Sequence, residues 1–307
     1  MIAHHFPTGL RRIALALLLI APGAATAADQ RSFPSPEAAV DALVDALGKD
    51  DEAGLVAIFG EKHRSLVSSG DRQSDAAERA RIAGALQDFR SLDDDGADRR
   101  ILLLGLEAWP APIPIVREAG GWRFATELGY EEILNRRIGA NERHAIYALR
   151  AYVDAQRQYA SVDRDGDGVL QYAQRLASRE GRRDGLYWPT ASDDEEASPF
   201  GPLIAASAAY LAGRREGDPY RGYHFRILTS QGAEAAGGPY NYVINGRMVA
   251  GFAMVAFPHE YGETGVMTFI VNQNGRIFEK DLGKSTRRIG TLMKSFNPGR
   301  GWKEVGP

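Results

Sequence analysis

Three carboxylates at alternate positions form the most specific chemical pattern in this sequence. Asp163, Asp165 and Asp167 are followed by Gly168. A hard cation such as calcium takes oxygen ligands from loop positions 1, 3 and 5, and the next residue must tolerate a sharp bend. The spacing therefore predicts a calcium-stabilised loop over residues 163–174.

The other ligands of this loop follow from the EF-hand spacing. Val169 would offer its carbonyl oxygen at position 7, and Gln171 would act through a water at position 9. Gln174 stands at position 12, where a bidentate glutamate is usual, so the predicted affinity is weak, on the order of 0.1–1 mM. The motif requires a helix on each side, and the sequence predicts a long one before the loop and a short one over 169–178. A polar turn between these helices is the alternative.

Other patterns that resemble catalytic motifs are incomplete. Gly283-Lys284-Ser285-Thr286 resembles the end of a phosphate-binding loop, but Phe278 stands where its first glycine is required. His259-Glu260 begins like a zinc-protease helix, but Glu263 replaces the second histidine. The chain also lacks a Gly-x-Ser-x-Gly elbow. The sequence therefore predicts no catalytic residue and no nucleotide or redox cofactor.

The first 27 residues have the order of features that is typical of a secretory signal peptide. Arg11 and Arg12 precede an apolar run over 13–21, and Ala25-Thr26-Ala27 offers a small-residue cleavage site. The apolar run is much shorter than the roughly 20 residues of a membrane-spanning helix. We expect Sec-type export to the periplasm or the medium, with no permanent membrane anchor after cleavage.

Charge and composition exclude several function classes. Removing residues 1–27 takes away two arginines and no acid, so the formal charge moves from -3 to -5. This mild acidity gives no reason to expect nucleic acid as a partner, because nucleic-acid binding requires a basic face. The absence of cysteine excludes disulfides, thiolate zinc sites and a cysteine nucleophile. The expected partner is an envelope protein or polymer that the sequence does not identify.

Residues 28–138 are predicted to form an N-terminal α+β domain. Ser35 and Pro36 mark a helix start, and two further helices follow, the third over about 74–90. Strands are expected over 100–106, 113–118 and 121–126, with the acidic residues 93–96 as a solvated turn. Helices before a small antiparallel meander give an α+β unit that resembles cone-shaped NTF2-like domains.

Residues 139–307 are predicted to form a second domain, in which a long helix packs on an antiparallel sheet. Asn141 would begin that helix, which would end near Ser161, and a further helix is expected over 203–212. The rest is rich in strands, with hairpin turns at Asn245-Gly246 and Asn274-Gly275. This layout resembles the globular part of type IV pilins and pseudopilins.

Many specific segments occur in order along the chain. The first is Trp109-Pro110-Ala111-Pro112-Ile113-Pro114. The others lie at 121–124, 136–142, 154–159, 184–189, 220–223, 251–256 and 261–269. Together they resemble the bacterial family known as domain of unknown function 2950. The resemblance implies an exported bacterial protein of unassigned activity, and it supplies no catalytic residues.

Three functions are compatible with these features. We favour a non-catalytic binding or scaffold module of the cell envelope with a calcium-stabilised loop. One alternative is an envelope hydrolase that uses His224 or His259 in a groove between the two domains. Another is a component associated with a pilus or a secretion system, as the pilin-like layout suggests.

Overall fold

The structure is a computed structural model that describes residues 30–190, 192, 195–201, 203 and 218–306. The predicted signal peptide lies outside the described residues, and so does nearly all of the helix predicted over 203–212. The described part combines helices with antiparallel sheets, which confirms the predicted α+β class.

The N-terminal part begins with three helices, as predicted. They are α1 (Pro36–Gly48), α2 (Glu52–Phe59) and α3 (Arg72–Asp88), with a 3-10 segment, Glu61–Leu66, between the last two. The Ser35 hydroxyl accepts a hydrogen bond from the Ala38 amide at 3.1 Å, so the predicted cap of α1 is confirmed. Asp51 and Asp71 cap α2 and α3 in the same way.

The helices pack on an antiparallel sheet. Its strands are β1 (Arg90–Asp94), β2 (Arg99–Leu104), β3 (Trp109–Pro110), β4 (Ile115–Glu118) and β5 (Gly121–Phe124). The strand order is β1-β2-β4-β5, and β3 pairs with β2. The expected strands and the hairpin between β4 and β5 are confirmed.

Strand β1 was not predicted, and residues 93–94 were assigned to a turn. These residues instead pair with β2, with Asp93 opposite Ile101 and Asp94 opposite Arg100. An edge strand leaves its outer side in water, so carboxylates are tolerated there, and Asp94 forms an ion pair with Arg100.

A single helix, α4 (Thr126–Tyr159), connects the two parts of the chain. The prediction that the long helix begins at Asn141 is therefore wrong, and the expected boundary near residue 138 falls inside α4. Asn141 is buried, and its side chain donates to the Thr264 carbonyl at 2.9 Å instead of capping a helix. No proline lies between Thr126 and Tyr159, so the helix continues through Gly129 and Gly139.

Each part has an apolar core of its own, and α4 contributes to both. Ile133 packs against the N-terminal core. Leu149, Tyr152 and Val153 belong to the C-terminal core. The helix therefore joins the two cores through a continuous backbone.

The C-terminal sheet carries the larger core. Its strands are β6 (Tyr223–Leu228), β11 (Ala253–Pro258), β12 (Met267–Asn272), β13 (Ile277–Asp281) and β15 (Lys303–Glu304), in the order β15-β13-β12-β11-β6. Short strands complete this part: β7 (Ser230–Gln231), β8 (Tyr240–Asn241), β9 (Val243–Ile244), β10 (Arg247–Met248) and β14 (Ser295–Phe296). The helix α5 (Thr286–Leu292) packs against β11. The predicted hairpins at Asn245-Gly246 and Asn274-Gly275 connect β9 to β10 and β12 to β13.

The segment after the acidic loop is extended, so the helix predicted over 169–178 is wrong. Tyr172 forms a β-bridge with Met248, and Ala177 forms one with Tyr187. These bridges tie the segment to β10 and to Tyr187, and such tertiary pairing outweighs the weak helical periodicity of the segment. The acidic loop is thus preceded by a helix but not followed by one.

Candidate functional site

The acidic loop follows the C-terminal end of α4 and is organised around Asp163. The Asp163 carboxylate accepts hydrogen bonds from the backbone amides of Gly166 at 2.9 Å and Gly168 at 2.7 Å. These amides, first of all that of Gly168, lower the pKa of the Asp163 carboxyl. Gly166 and Gly168 both have positive φ, at 66° and 81°, which lets the backbone curl around the carboxylate.

The other predicted ligands have partners of their own. Asp165 accepts from the Gln171 side chain at 2.5 Å, and Asp167 forms an ion pair with Arg247. The Gln174 amide donates to the Gly246 carbonyl at 2.8 Å. The Val169 amide donates to Asp167 at 3.0 Å. Asp165, Asp167 and Gln174 are therefore engaged in contacts other than metal ligation in this conformation.

Arg164 anchors the loop to the C-terminal core, which the sequence did not indicate. Its guanidinium lies over the rings of Tyr159, at 4.8 Å, and Trp188, at 5.0 Å, and forms an ion pair with Glu196. The side chain is only 7% exposed. A buried guanidinium that contacts two aromatic rings is held in place by cation–π interactions. The Arg164 end of the loop is therefore anchored without any metal ion.

The fit of the loop to calcium is therefore partial. Within the described residues, no three histidine or acidic side chains form a group that could hold a metal ion. Calcium binding would require Asp165 to leave Gln171 and Asp167 to leave Arg247. Because Asp165 and Gln171 lie at the surface, the first exchange costs little.

A cleft in the N-terminal part is a second candidate site. It lies between α3 on one side and β2, β3 and the first half of α4 on the other, with a volume of about 1230 Å³. Its base is apolar and includes Leu47, Leu55, Val67, Leu86 and Phe124. A concave apolar surface of this size is typical of small-molecule sites.

The polar end of the cleft contains a buried carboxylate and an arginine. Both oxygens of Asp75 accept from Ser69, one from its amide at 2.8 Å and one from its hydroxyl at 2.7 Å. Burial raises the pKa of the Asp75 carboxyl, against the opposing effect of these hydrogen bonds. Arg137 from α4 donates to the carbonyls of Ser65 and Leu66 at 2.5 and 2.6 Å.

The rim at this end is built from both parts of the chain. The Gly222 amide donates to the Asp71 carboxylate at 3.0 Å. A β-carbon on Gly222 would lie 2.6 Å from the Asn141 amide nitrogen, so only glycine fits there. Arg221, beside it, has a positive φ of 48°, which is uncommon for a residue with a side chain. The contacts hold Arg221 at the mouth of the cleft.

The histidines of the hydrolase alternative lie elsewhere. Nε2 of His224 and Nδ1 of His259 are 2.9 Å apart, and burial lowers the pKa of His259. The cleft is lined by His144 and by neither of these two residues. His259 packs beside Gly70, where the two parts of the chain meet. This placement favours a contact between the parts over a role in the cleft.

Comparison with known proteins identifies the family of this chain and gives no further match. None of the helices described is long and apolar enough to cross a membrane. Neither the curated proteins nor the solved structures include a match, so the likeness to pilins and to NTF2-like domains stays an interpretation. The family model described as protein of unknown function (DUF2950) matches residues 30–305, nearly all of the chain outside the predicted signal peptide. The chain therefore belongs to the DUF2950 family of proteins of unknown function.

Proposed function

We propose that this chain is an exported, non-catalytic binding module of the cell envelope, and that its ligand occupies the cleft between α3 and α4. The observation that carries the proposal is the cleft itself, with its apolar base and polar end. Export rests on the signal-like residues 1–27.

Apolar side chains on the two walls of the cleft remain partly exposed, which supports a binding function. Ile82 on α3 and Ile133 on α4 line the cleft, and both keep part of their surface in water. Apolar side chains exposed on facing walls are stabilised when a ligand removes them from water, by roughly 25 cal/mol per Å². In a scaffold that binds no ligand, leaving these apolar side chains partly in water would not stabilise the protein.

A bulky side chain in the cleft should abolish binding of a neutral apolar probe. Ala140 is a half-buried residue of α4 that lines the cleft, so Ala140→Trp fills it. We expect the fluorescence of N-phenyl-1-naphthylamine to rise saturably with the wild-type chain, and the affinity to fall at least about 10-fold in Ala140→Trp, the loss of about 1.4 kcal/mol of binding energy.

Ala80→Trp is the matched control, because Ala80 is an exposed residue of α3 that does not line the cleft. It should bind the probe like the wild type. An equal loss of probe affinity in both variants, or no saturable signal in the wild type, would show that the cleft is not the binding site.

The calcium-stabilised loop remains a second part of the proposal. If the dissociation constant is about 1 mM, then 10 mM calcium stabilises the folded chain by about 1.4 kcal/mol and raises Tm by about 3–5 °C. Asp165→Ala should lose this shift. It is the best variant because, among the described residues, the hydrogen bond that it removes is to half-buried Gln171, whereas Asp163→Ala would strip the loop of its backbone hydrogen bonds.

Thermal unfolding in calcium, in chelator and in sodium chloride of equal ionic strength measures the effect. An unchanged Tm in the wild type would leave the loop as a hydrogen-bonded turn anchored by Arg164.

A further inference from the structure

We propose that the outer side of α5 and of the turn before it is a docking surface for an anionic lipid bilayer. We call this surface the basic face and define it by Lys284, Arg287, Arg288, Thr291 and Leu292, which line one depression of the surface. The inference goes beyond the proposed function, because the basic face and the cleft share no residue.

The packing of α5 leaves one side of this helix in water. Its buried residues, Thr286 and Gly290, lie one turn apart on the side that packs against the sheet. A β-carbon on Gly290 would clash with the ring of Phe257, so the helix approaches β11 closely. Arg288 stands two positions from each buried residue, which places it on the opposite side of the helix, where it is exposed.

The basic face lies in a segment without acids. Residues 282–294 contain four basic residues, Lys284, Arg287, Arg288 and Lys294, and no aspartate or glutamate. All four are exposed. Within the part of the chain that the structure describes, the side chains of Lys284 and Arg288 form no ion pair and no hydrogen bond.

Two acids from neighbouring positions adjoin the face, and both are engaged. Glu260 forms an ion pair with Arg287 at 3.3 Å. The Asp281 carboxylate accepts from the Gly283 amide at 2.7 Å and from the Tyr261 hydroxyl at 3.2 Å. The four cations and these two acids leave a formal charge of +2 here, on a chain whose total is -3. Charge complementarity therefore favours an anionic partner at this face.

An exposed leucine distinguishes lipid from other anionic partners. Leu292 is 64% exposed and lines the same depression as the cations. Exposed leucines are ordinary by themselves, and Leu106 and Leu128 are two others, but each of these has a glutamate beside it in the chain. A bilayer has a negative surface over an apolar layer, so it binds the cations and removes Leu292 from water at the same time. A soluble polyanion offers only the first of these contacts.

Co-sedimentation with lipid vesicles tests the inference. The chain is used without residues 1–27, because an apolar signal peptide would bind lipid by itself, and both cores lie beyond residue 30. Vesicles of equal parts phosphatidylglycerol and phosphatidylcholine should bind at least about 10-fold more tightly than phosphatidylcholine alone, since each lysine or arginine near a negative lipid surface strengthens binding about 5-fold. Salt at about 1 M should abolish the difference by screening.

Substitutions of the two unpaired cations locate the contact. The double variant Lys284→Gln with Arg288→Gln should weaken binding to the anionic vesicles at least about 10-fold. The exchange Lys284→Arg with Arg288→Lys keeps both charges and should bind like the wild type. Lys62→Gln with Arg143→Gln is the matched control, because it removes one exposed lysine and one exposed arginine outside the basic face.

A substitution of Leu292 separates a bilayer from a soluble polyanion. Leu292→Ser should weaken binding to the anionic vesicles about 5-fold, because less apolar surface leaves water, and it should not change binding to dextran sulfate. Leu128→Ser is the control, since Leu128 is 61% exposed on α4, and it should bind the vesicles like the wild type.

Three results would overturn the inference. They are equal binding of the wild type to anionic and neutral vesicles or to neither, anionic binding that the double glutamine variant retains, and unchanged vesicle binding of Leu292→Ser. The last result would indicate a soluble polyanion as the partner. Ala140→Trp, which fills the cleft, should bind the vesicles like the wild type, so the basic face and the proposed function are tested independently.

Discussion

Replacing Tyr152 with alanine is expected to lower the free energy of unfolding by about 3–5 kcal/mol, the range for removing a large buried aromatic side chain. Tyr152 is fully buried in the C-terminal core, with its ring edge-on to Phe252 at 5.5 Å. Its hydroxyl donates to the Ala253 carbonyl at 3.3 Å and accepts from Gln156 at 3.0 Å. The substitution therefore leaves a cavity between α4 and β11 and removes two hydrogen bonds.

Tyr147→Ala is the matched control for this prediction, because Tyr147 lies on the same helix and is 61% exposed. Its effect should stay within about 0.5 kcal/mol. Urea unfolding followed by tryptophan fluorescence measures both variants. Similar losses in the two would contradict the packing of α4 on the C-terminal sheet.

Replacing Gln156 with leucine is expected to cost about 3 kcal/mol, although leucine is the more apolar residue. Gln156 is fully buried, and its side chain both donates to the Ala173 carbonyl and accepts from the Ala173 amide, each at 2.8 Å. Leucine would leave both backbone groups buried without partners, at about 1–3 kcal/mol each. Because Ala173 lies in the extended segment after the acidic loop, the loss should also loosen that segment.

Gln158→Leu serves as the control, since Gln158 is exposed two residues further along α4. We expect the amide of Ala173 to exchange its hydrogen much faster in Gln156→Leu and at the wild-type rate in Gln158→Leu. Unchanged exchange and unchanged stability in Gln156→Leu would show that this backbone contact is not formed.

The sequence predicted the fold class and many elements because local signals decide them. Ser35 with Pro36 marks the start of α1, and the Asn-Gly pairs mark two hairpins of the C-terminal part. Each of these signals acts over a few residues. At these positions the tertiary contacts agree with the local signals.

The errors arose where distant contacts decide the structure. Asn141 resembles a helix cap, yet its amide reaches Thr264, and α4 passes through it. Residues 169–178 have a weak helical pattern, yet β-bridges to Met248 and Tyr187 hold them extended. No pattern within either segment reports its partner, which lies up to 123 residues away.

The acidic loop was recognised from spacing, but its contacts were not. Spacing places Asp163, Asp165 and Asp167 in one turn, whereas the ion pair of Asp167 with Arg247 joins it to a strand 80 positions later. Arg164 lies between two of these aspartates in the sequence, and in the structure it is the buried anchor of the loop. Its contact with Trp188 spans 24 positions, so no local pattern predicts it.

The cleft had no signal in the sequence. Its walls come from α3, α4 and the sheet, and its rim includes Gly222, so it exists only after segments that are distant in the sequence come together. Apolar residues that line a cleft have the same spacing as those that fill a core. Sequence periodicity therefore assigns both to the interior.

Hydrogen exchange of the wild-type chain, with and without saturating N-phenyl-1-naphthylamine, tests the central claim most directly. The account predicts slower exchange in α3 around residues 73–86 and in α4 around residues 133–144, the two helices that face the cleft. Exchange in the C-terminal sheet should be unchanged. Protection of that sheet, with none in α3 or α4, would contradict the cleft as the binding site.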